Sequence, residues 1–139
     1  MTHTARSVAA ISLMLASAAA SAAELSVRFK GVPSDKGTVM AALYASESAY
    51  AARQALRKVR LPANAPLVAV FKDLPAGRYA LTAFHDENGN GTLDTAANGM
   101  PTEAYGFSRN PAVRYGPPSF ADMSFDVGPA NPGIDILME

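Results

Sequence analysis

Apolar and polar residues alternate at a period of two in short runs along the chain from residue 25 onward. The alternation is clearest at residues 25–30, where Leu25, Val27 and Phe29 are separated by polar residues. Successive side chains of a strand point to opposite faces, so this pattern predicts strands with one buried face. Similar runs occupy residues 39–43, 67–71, 79–83, 121–127 and 134–138, with a weaker run at 56–61. Six or seven short strands separated by turn residues predict an all-β fold, an immunoglobulin-like antiparallel β-sandwich with one short helix and a long ordered loop.

The inward phase of these runs predicts the core. Its expected members are Leu25, Val27, Phe29, Val39, Leu43, Phe71, Leu74, Tyr79, Leu81, Phe125 and Ile136. One segment departs from the period: Ser46 can cap a short helix over residues 47–54, which are rich in helix-forming residues. The basic residues between 53 and 60 are interpreted as a solvated helix end and edge strand rather than an anion-binding patch.

The N-terminal residues have the features of a secretory signal. A basic start at residues 1–6 is followed by an uncharged apolar stretch at 8–20 and by small residues up to Ala23. This order predicts cleavage between Ala23 and Glu24. The apolar stretch is shorter than the roughly 20 residues that a bilayer-spanning helix needs. We therefore expect residues 1–23 to be removed and residues 24–139 to form one domain, periplasmic or secreted from a bacterium, without a transmembrane segment.

The composition of the chain limits the classes of partner that this domain can bind. The chain has 12 basic and 12 acidic residues, and this balance argues against a nucleic-acid partner, which requires a basic surface. There is no cysteine, so an exported domain of this kind depends on its core, or on a metal ion, rather than on disulfides.

The segment HDENGNGTLD, residues 85–94, has the oxygen spacing of a calcium loop. Ca²⁺ takes six to eight oxygen ligands from a sharply bending chain. Gly91 stands at position 6 of the twelve-residue motif, where the chain must turn, whereas position 12 is Ala97, which offers no side-chain oxygen. Glu103 lies beyond a turn that can return it over the loop. The predicted Ca²⁺ ligands are Asp86, Asn88, Asn90, the Thr92 carbonyl, Asp94 and Glu103.

A second interpretation of this loop stays open. Asn-Gly is a strong hairpin signal, and it occurs twice here, at 88–89 and 90–91. The stretch would then be a double turn without a metal. For His85, which continues the inward phase of the preceding strand, a hydrogen bond to a loop carbonyl is favoured over a role as base or metal ligand.

The irregular segment from residue 86 to 119 is too aromatic for disorder and too long to be a plain connection. Aromatic and arginine side chains dominate many binding surfaces. The candidate ligand surface consists of His85, Tyr105, Phe107, Arg109, Arg114 and Tyr115, facing a glycan, a peptide or an envelope protein. For Phe107 and Phe120, packing beneath the loop is the favoured interpretation.

Several motifs resemble known families. The stretch FKDLPAGRYAL, residues 71–81, is similar to a corner of transthyretin-like and collagen-adhesin B-type sandwiches. The run FHDENGNGTLD, with residues 99–108 and 116–120, resembles the exported bacterial family called domain of unknown function 2141. The resemblance covers essentially the whole predicted mature chain, with Ala104 where that motif has glycine. It implies the fold and export, and no established activity.

These features predict an exported, non-enzymatic binding module whose acidic loop holds Ca²⁺ and orders an aromatic loop. Two alternatives remain: a small periplasmic hydrolase-like enzyme using His85 and the acidic rim, or a purely structural cell-envelope protein. No nucleophile motif supports an enzyme, since there is no Gly-x-Ser-x-Gly, no cysteine and no paired histidine. A concave site lined by His85 and Glu103 would favour the enzyme.

Overall fold

The computed structural model describes residues 22–130 and 133–139, which contain strands in two sheets and two short helices. The strands are β1 (Ala23–Lys30), β2 (Thr38–Tyr44), β3 (Arg57–Pro62), β4 (Val68–Leu74), β5 (Gly77–Asp86), β6 (Tyr105–Phe107), β7 (Phe125–Val127) and β8 (Ile134–Leu137). The helices are α1 (Glu47–Ala51) and α2 (Phe120–Met123). The all-β sandwich expected from the alternating pattern is therefore confirmed.

The two sheets have the strand orders β4-β1-β8 and β3-β2-β5-β6, and β7 pairs with the first residues of β5. The pairings are antiparallel except that of β1 with β8, which is parallel. The predicted antiparallel sandwich thus contains one parallel pair. β8 reaches the free edge of β1 from the opposite sheet rather than through a hairpin, so no tight turn imposes the antiparallel direction.

The predicted core is confirmed. All its members are buried except Phe125, which is half-buried and packs against the others. In β1 the alternate residues from Ala23 to Phe29 are buried, as the period of two requires. The exposed side of β1 carries Arg28 and Lys30, which both pair with Asp135 of β8 at 2.6 Å. Hydrogen bonds from Arg28, which has the larger effect, and from Lys30 hold the pKa of Asp135 below its ordinary value.

Local structure differs from the expectation in three places. The helix capped by Ser46, whose Oγ accepts the Ala49 N–H at 3.1 Å, ends at Ala51 because Arg53 takes a left-handed conformation with φ 55°. The strand expected over 121–127 begins only at Phe125, because Ser119 caps the short helix α2 ahead of it. The short strand β6 was missed, since its central residue is a glycine and only pairing with β5 defines it.

The two sheets meet at a corner formed by β6 and the end of the chain. The Tyr105 N–H donates to the main-chain oxygen of Glu139 at 3.0 Å, and the Glu139 N–H donates to the Tyr105 carbonyl at 2.9 Å. Gly106 makes this approach possible, because a Cβ there would lie 2.5 Å from the Leu137 carbonyl oxygen and 2.7 Å from Ile136 Cγ2. The corner brings the segment after the acidic loop against β8.

We expect Gly106→Ala to lower the free energy of unfolding by about 1–3 kcal/mol, the usual range for overpacking a well-packed site. Urea denaturation monitored by circular dichroism measures this loss. Gly128→Ala is the matched control, because a Cβ at Gly128 meets nothing within 4 Å. Equal stabilities of the two variants would contradict the close approach of β6 to β8.

The predicted signal, residues 1–23, lies outside the described residues except for Ala22 and Ala23. Ala23 is the first residue of β1, is buried, and pairs with Leu74. Within residues 22–130 and 133–139, no helix is long and apolar enough to cross a membrane.

Candidate metal-binding loop and adjacent groove

Asp86 organises the acidic loop from the end of β5. Its side chain is fully buried, Oδ1 accepts the N–H of Asn90 at 3.0 Å, and Oδ2 accepts the N–H of Gly91 at 2.9 Å. Gly91 has φ +81°, the left-handed conformation predicted for position 6. One carboxylate therefore fixes the bend that the spacing of the sequence predicted.

The other predicted ligands of the loop converge on Asp94. Asn88 Oδ1 accepts the N–H of Asn90 at 3.1 Å, and Asn90 Oδ1 accepts the N–H of Thr92 at 3.0 Å. The two amide nitrogens donate to the carboxylate of Asp94, Asn88 Nδ2 at 2.5 Å and Asn90 Nδ2 at 2.7 Å. The side chains of Asn88 and Asn90 thus direct their nitrogens to Asp94 and their oxygens to the loop backbone.

Glu103 returns over the loop, as the turn before it predicted. Its Oε1 accepts the N–H of Glu87 at 3.1 Å and its Oε2 accepts the N–H of Asp94 at 3.0 Å. The Thr102 N–H also donates to the Asp94 carbonyl at 2.8 Å. A carboxylate from outside the twelve-residue motif is therefore fastened to both ends of the acidic loop.

The charge of the loop is balanced by amides rather than by basic side chains. In the described part of the chain, the salt bridges join Asp135 to Arg28 and Lys30, and none reaches the loop. The guanidinium of Arg60 lies near Gly91, with Nη2 4.0 Å from the position of a Cβ on that glycine. Asp86, Asp94 and Glu103 each accept N–H donors of the loop or of its asparagines.

A metal site requires several ligand atoms directed at one point. Among the described residues, no three His, Cys, Asp or Glu side chains form a group that could hold a metal ion as they stand. The three carboxylates are turned toward N–H donors instead of one another. Thr38, the register partner of Asp86 on β2, has a buried Oγ1 without a hydrogen-bond partner. The neighbourhood of Asp86 therefore holds one oxygen whose bonding capacity is unused.

The turn between β1 and β2 packs against the start of the acidic loop. Nε2 of His85 donates to the Lys36 carbonyl at 2.6 Å, and the side chain is 1% exposed. The hydrogen bond to a loop carbonyl that was favoured for His85 is therefore present. Gly37 lies directly against the backbone of Asp86 and Glu87. These contacts join the loop to the turn before β2, and the spacing of residues in the sequence does not predict them.

Two grooves lie beside the loop at the β6–β8 corner. The first has a volume of about 500 Å³, and its lining includes Glu103, Tyr105, Gly31, Pro33 and the last two residues of the sequence. The second, of about 340 Å³, runs between Tyr105, Phe107, residues 110–113 and the chain end. Neither groove is lined by His85, so the concave site combining His85 with Glu103 is not formed by these grooves.

The candidate ligand surface is divided by the fold. Tyr105 and Phe107 are half-buried on β6, with ring centroids 5.7 Å apart in an edge-to-face arrangement, and both line a groove. Arg109, Arg114 and Tyr115 are exposed and line neither groove; Arg109 donates to the Ser124 carbonyl at 3.4 Å, and Tyr115 is 100% exposed.

Some groove residues were absent from the sequence-based prediction. They are Gly31, Pro33, Met100, Pro101, Met138 and Glu139. Met100 is the one member that the sequence could have indicated, because it is an apolar residue among turn residues. It lies on a loop, and 60% of its surface is exposed. Met138 and Glu139 reach the groove through the pairing of β8 with β1 and through the hydrogen bonds between Glu139 and Tyr105.

Comparison with known proteins places most of the chain in one family. Residues 27–135 match the family model described as "Uncharacterized protein conserved in bacteria (DUF2141)". A search of curated proteins and a search of solved structures found no match. The matched range contains the whole acidic loop, Glu103, and β1 from Val27 onward.

Proposed function

The chain belongs to this bacterial family, and from that premise we propose that it is an exported, non-enzymatic binding module whose acidic loop takes up Ca²⁺. The metal would hold the loop together with Glu103 and thereby order the segment that lines the two grooves. The observation that supports the proposal best is the attachment of Glu103 to both Glu87 and Asp94. It supplies, from outside the motif, the carboxylate that position 12 lacks.

Electrostatics favours a cation at this place. Asp86 and Asp94 lie on the acidic loop and Glu103 is hydrogen-bonded to it, and within the described residues no basic side chain forms a salt bridge with these three. Like charges held together destabilise one another unless a counter-ion is present. At present the amide nitrogens of Asn88 and Asn90 provide the partial positive charge that faces Asp94. A hard divalent cation would supply a stronger counter-charge and accepts carboxylate, amide and carbonyl oxygens as ligands.

The residues present fit Ca²⁺ in kind. Asp86, Asp94 and Glu103 offer carboxylates, Asn88 and Asn90 offer amide oxygens, and Thr92 offers its carbonyl, all of which are oxygen ligands. Thr38, the register partner of Asp86 on β2, has in addition a buried Oγ1 without a hydrogen-bond partner. Ca²⁺ tolerates an irregular set of this type better than Mg²⁺, which requires near-octahedral geometry.

The accessibility of His85 supports a non-enzymatic role. A general base must reach the substrate from which it takes a proton. His85 is buried, its Nε2–H is donated to the Lys36 carbonyl, and neither groove exposes it. Export rests on the signal features of residues 1–23 and implies a periplasmic or secreted domain. Mass spectrometry of the protein from a bacterial periplasm should give a mature N-terminus at Glu24.

We expect Ca²⁺ to stabilise the mature domain. Binding only to the folded state should contribute about 2.7 kcal/mol at a hundredfold excess over Kd. For a domain of this size that corresponds to an increase in Tm of roughly 10 °C. Differential scanning calorimetry in millimolar Ca²⁺, in Mg²⁺ and in chelator measures the effect. Asp86→Ala should abolish it, and Glu103→Gln should reduce it while the metal-free domain stays folded.

Asp126→Asn is the matched control, because it removes one exposed carboxylate on β7, far in sequence from the loop. This variant should keep the full Ca²⁺ response. The same Tm in Ca²⁺ and in chelator, together with no metal in the purified protein, would contradict the proposal. The stretch would then be a double Asn-Gly turn.

A further inference from the structure

We propose that the first groove binds a cationic group, the guanidinium or ammonium of a basic peptide segment. This inference deepens the proposed function, since it names the ligand class of the binding module. The groove has a volume of about 500 Å³ and lies between the β1–β2 turn, residues 100–105 and the end of the chain. That space is sufficient for a long side chain and its neighbouring backbone.

The charge of the lining selects a cation. Among the described residues that line the groove there are two carboxylates, those of Glu103 and Glu139, and no lysine or arginine. Glu139 is exposed, and its carboxylate has no hydrogen-bond or ion-pair partner among the described residues. Glu103 accepts one N–H at each oxygen, which leaves further acceptor capacity on both. An anionic ligand would be repelled by both groups.

The apolar lining fits the stem of a basic side chain. Pro33, Pro101 and Met138 lie on the walls, and Met100 is 60% exposed there. Lysine and arginine bury their methylene stems on apolar surface while their charged ends reach a polar partner. Tyr105 also lines the groove, and aromatic rings attract cations. The lining thus offers separate partners for the stem and for the charge.

Glu103 connects this groove with the acidic loop. Its oxygens hold the loop N–H groups of Glu87 and Asp94 while its side chain forms part of the groove. A metal bound to this carboxylate would neutralise the charge that attracts the basic group of the ligand. We therefore expect peptide affinity to fall when Ca²⁺ occupies the loop.

Fluorescence anisotropy with the mature domain tests the inference. The probe is a labelled heptapeptide with a central arginine between two leucines, and the comparison peptide carries uncharged citrulline in place of the arginine. We expect saturable binding of the arginine peptide, weaker at high salt because the attraction is screened. Glu139→Lys should weaken binding by about tenfold or more, since it places a like charge against the ligand.

Glu24→Lys is the matched control, because it makes the same charge change on an exposed site of β1 that lines neither groove. It should leave the affinity unchanged. Spermidine serves as a competitor: displacement only by arginine or lysine peptides identifies a peptide ligand, whereas binding of spermidine alone would overturn that assignment. Absence of saturable binding up to about 1 mM, or equal binding of the citrulline peptide, would overturn the cationic site.

The measurement is made in Ca²⁺ and in chelator so that the two proposals can fail separately. Equal peptide binding in both buffers would support the groove as a binding site and contradict its coupling to the metal. A Ca²⁺-dependent Tm without peptide binding would support Ca²⁺ binding by the loop and contradict the groove as a site for basic peptides.

Discussion

Replacing Gly37 by alanine should lower the free energy of unfolding by about 2–5 kcal/mol, which combines a left-handed backbone penalty with overpacking. Gly37 has φ +68°, and a Cβ there would lie 2.1 Å from the Asp86 carbonyl oxygen and 2.7 Å from the Cα of Glu87. Both obstacles are backbone atoms at the start of the acidic loop, so no side-chain rotation can relieve the clash. The β1–β2 turn, the loop, or both must move.

Chemical denaturation of the mature domain measures this loss. Gly89→Ala separates the two causes, because Gly89 has φ +75° but a Cβ there meets nothing within 4 Å. Gly89→Ala should cost about 1–2 kcal/mol, the penalty of the left-handed conformation alone. If Gly37→Ala is no less stable than Gly89→Ala, the close contact between the turn and Asp86 is wrong.

Leu81→Ala should cost about 2–5 kcal/mol, the range measured when a buried leucine is truncated. Leu81 is fully buried on β5, opposite Leu43 of β2. The loss has two parts, the transfer free energy of the removed methyl and methylene groups and the cavity that remains. Because β5 pairs with β2, β6 and β7, the surrounding strands can collapse only slightly into this space.

Thermal or urea unfolding measures the change, with Thr82→Ala as the control on the opposite face of the same strand. Thr82 is half-exposed, and its substitution should change stability by less than about 1 kcal/mol. A loss below about 0.5 kcal/mol for Leu81→Ala would contradict its place in the core.

The expected core followed from the sequence because it depends on a local property. The side chains of a strand alternate between faces, so a period of two identifies the inward residues without knowledge of their partners. This reasoning failed at residues 120–123, where alternation over so few positions does not distinguish a strand from one helical turn. There the Ser119 cap, a side-chain hydrogen bond to the Asp122 N–H, decided the conformation.

In the candidate site, too, some features follow from residues close in sequence and others do not. The bend of the loop around Asp86 was predictable, because its acceptors and donors lie within five residues of one another. The return of Glu103 was also predictable, from a short turn close in sequence. For His85 a hydrogen bond to a loop carbonyl was predicted, but its partner, Lys36, was not. The contact of Gly37 with Asp86 was not predicted either, since both features depend on how β2 lies against β5.

The sequence by itself determined the strand faces, the position of the acidic loop and the chemistry of its oxygen atoms. Only the tertiary structure decided that β8 runs parallel to β1 and brings Glu139 beside Tyr105. The same arrangement forms the groove and leaves Tyr115 outside it. The physical reason is that side-chain direction and turn geometry are set by neighbouring residues, whereas the meeting of distant segments is set by the burial and hydrogen bonding of the whole domain.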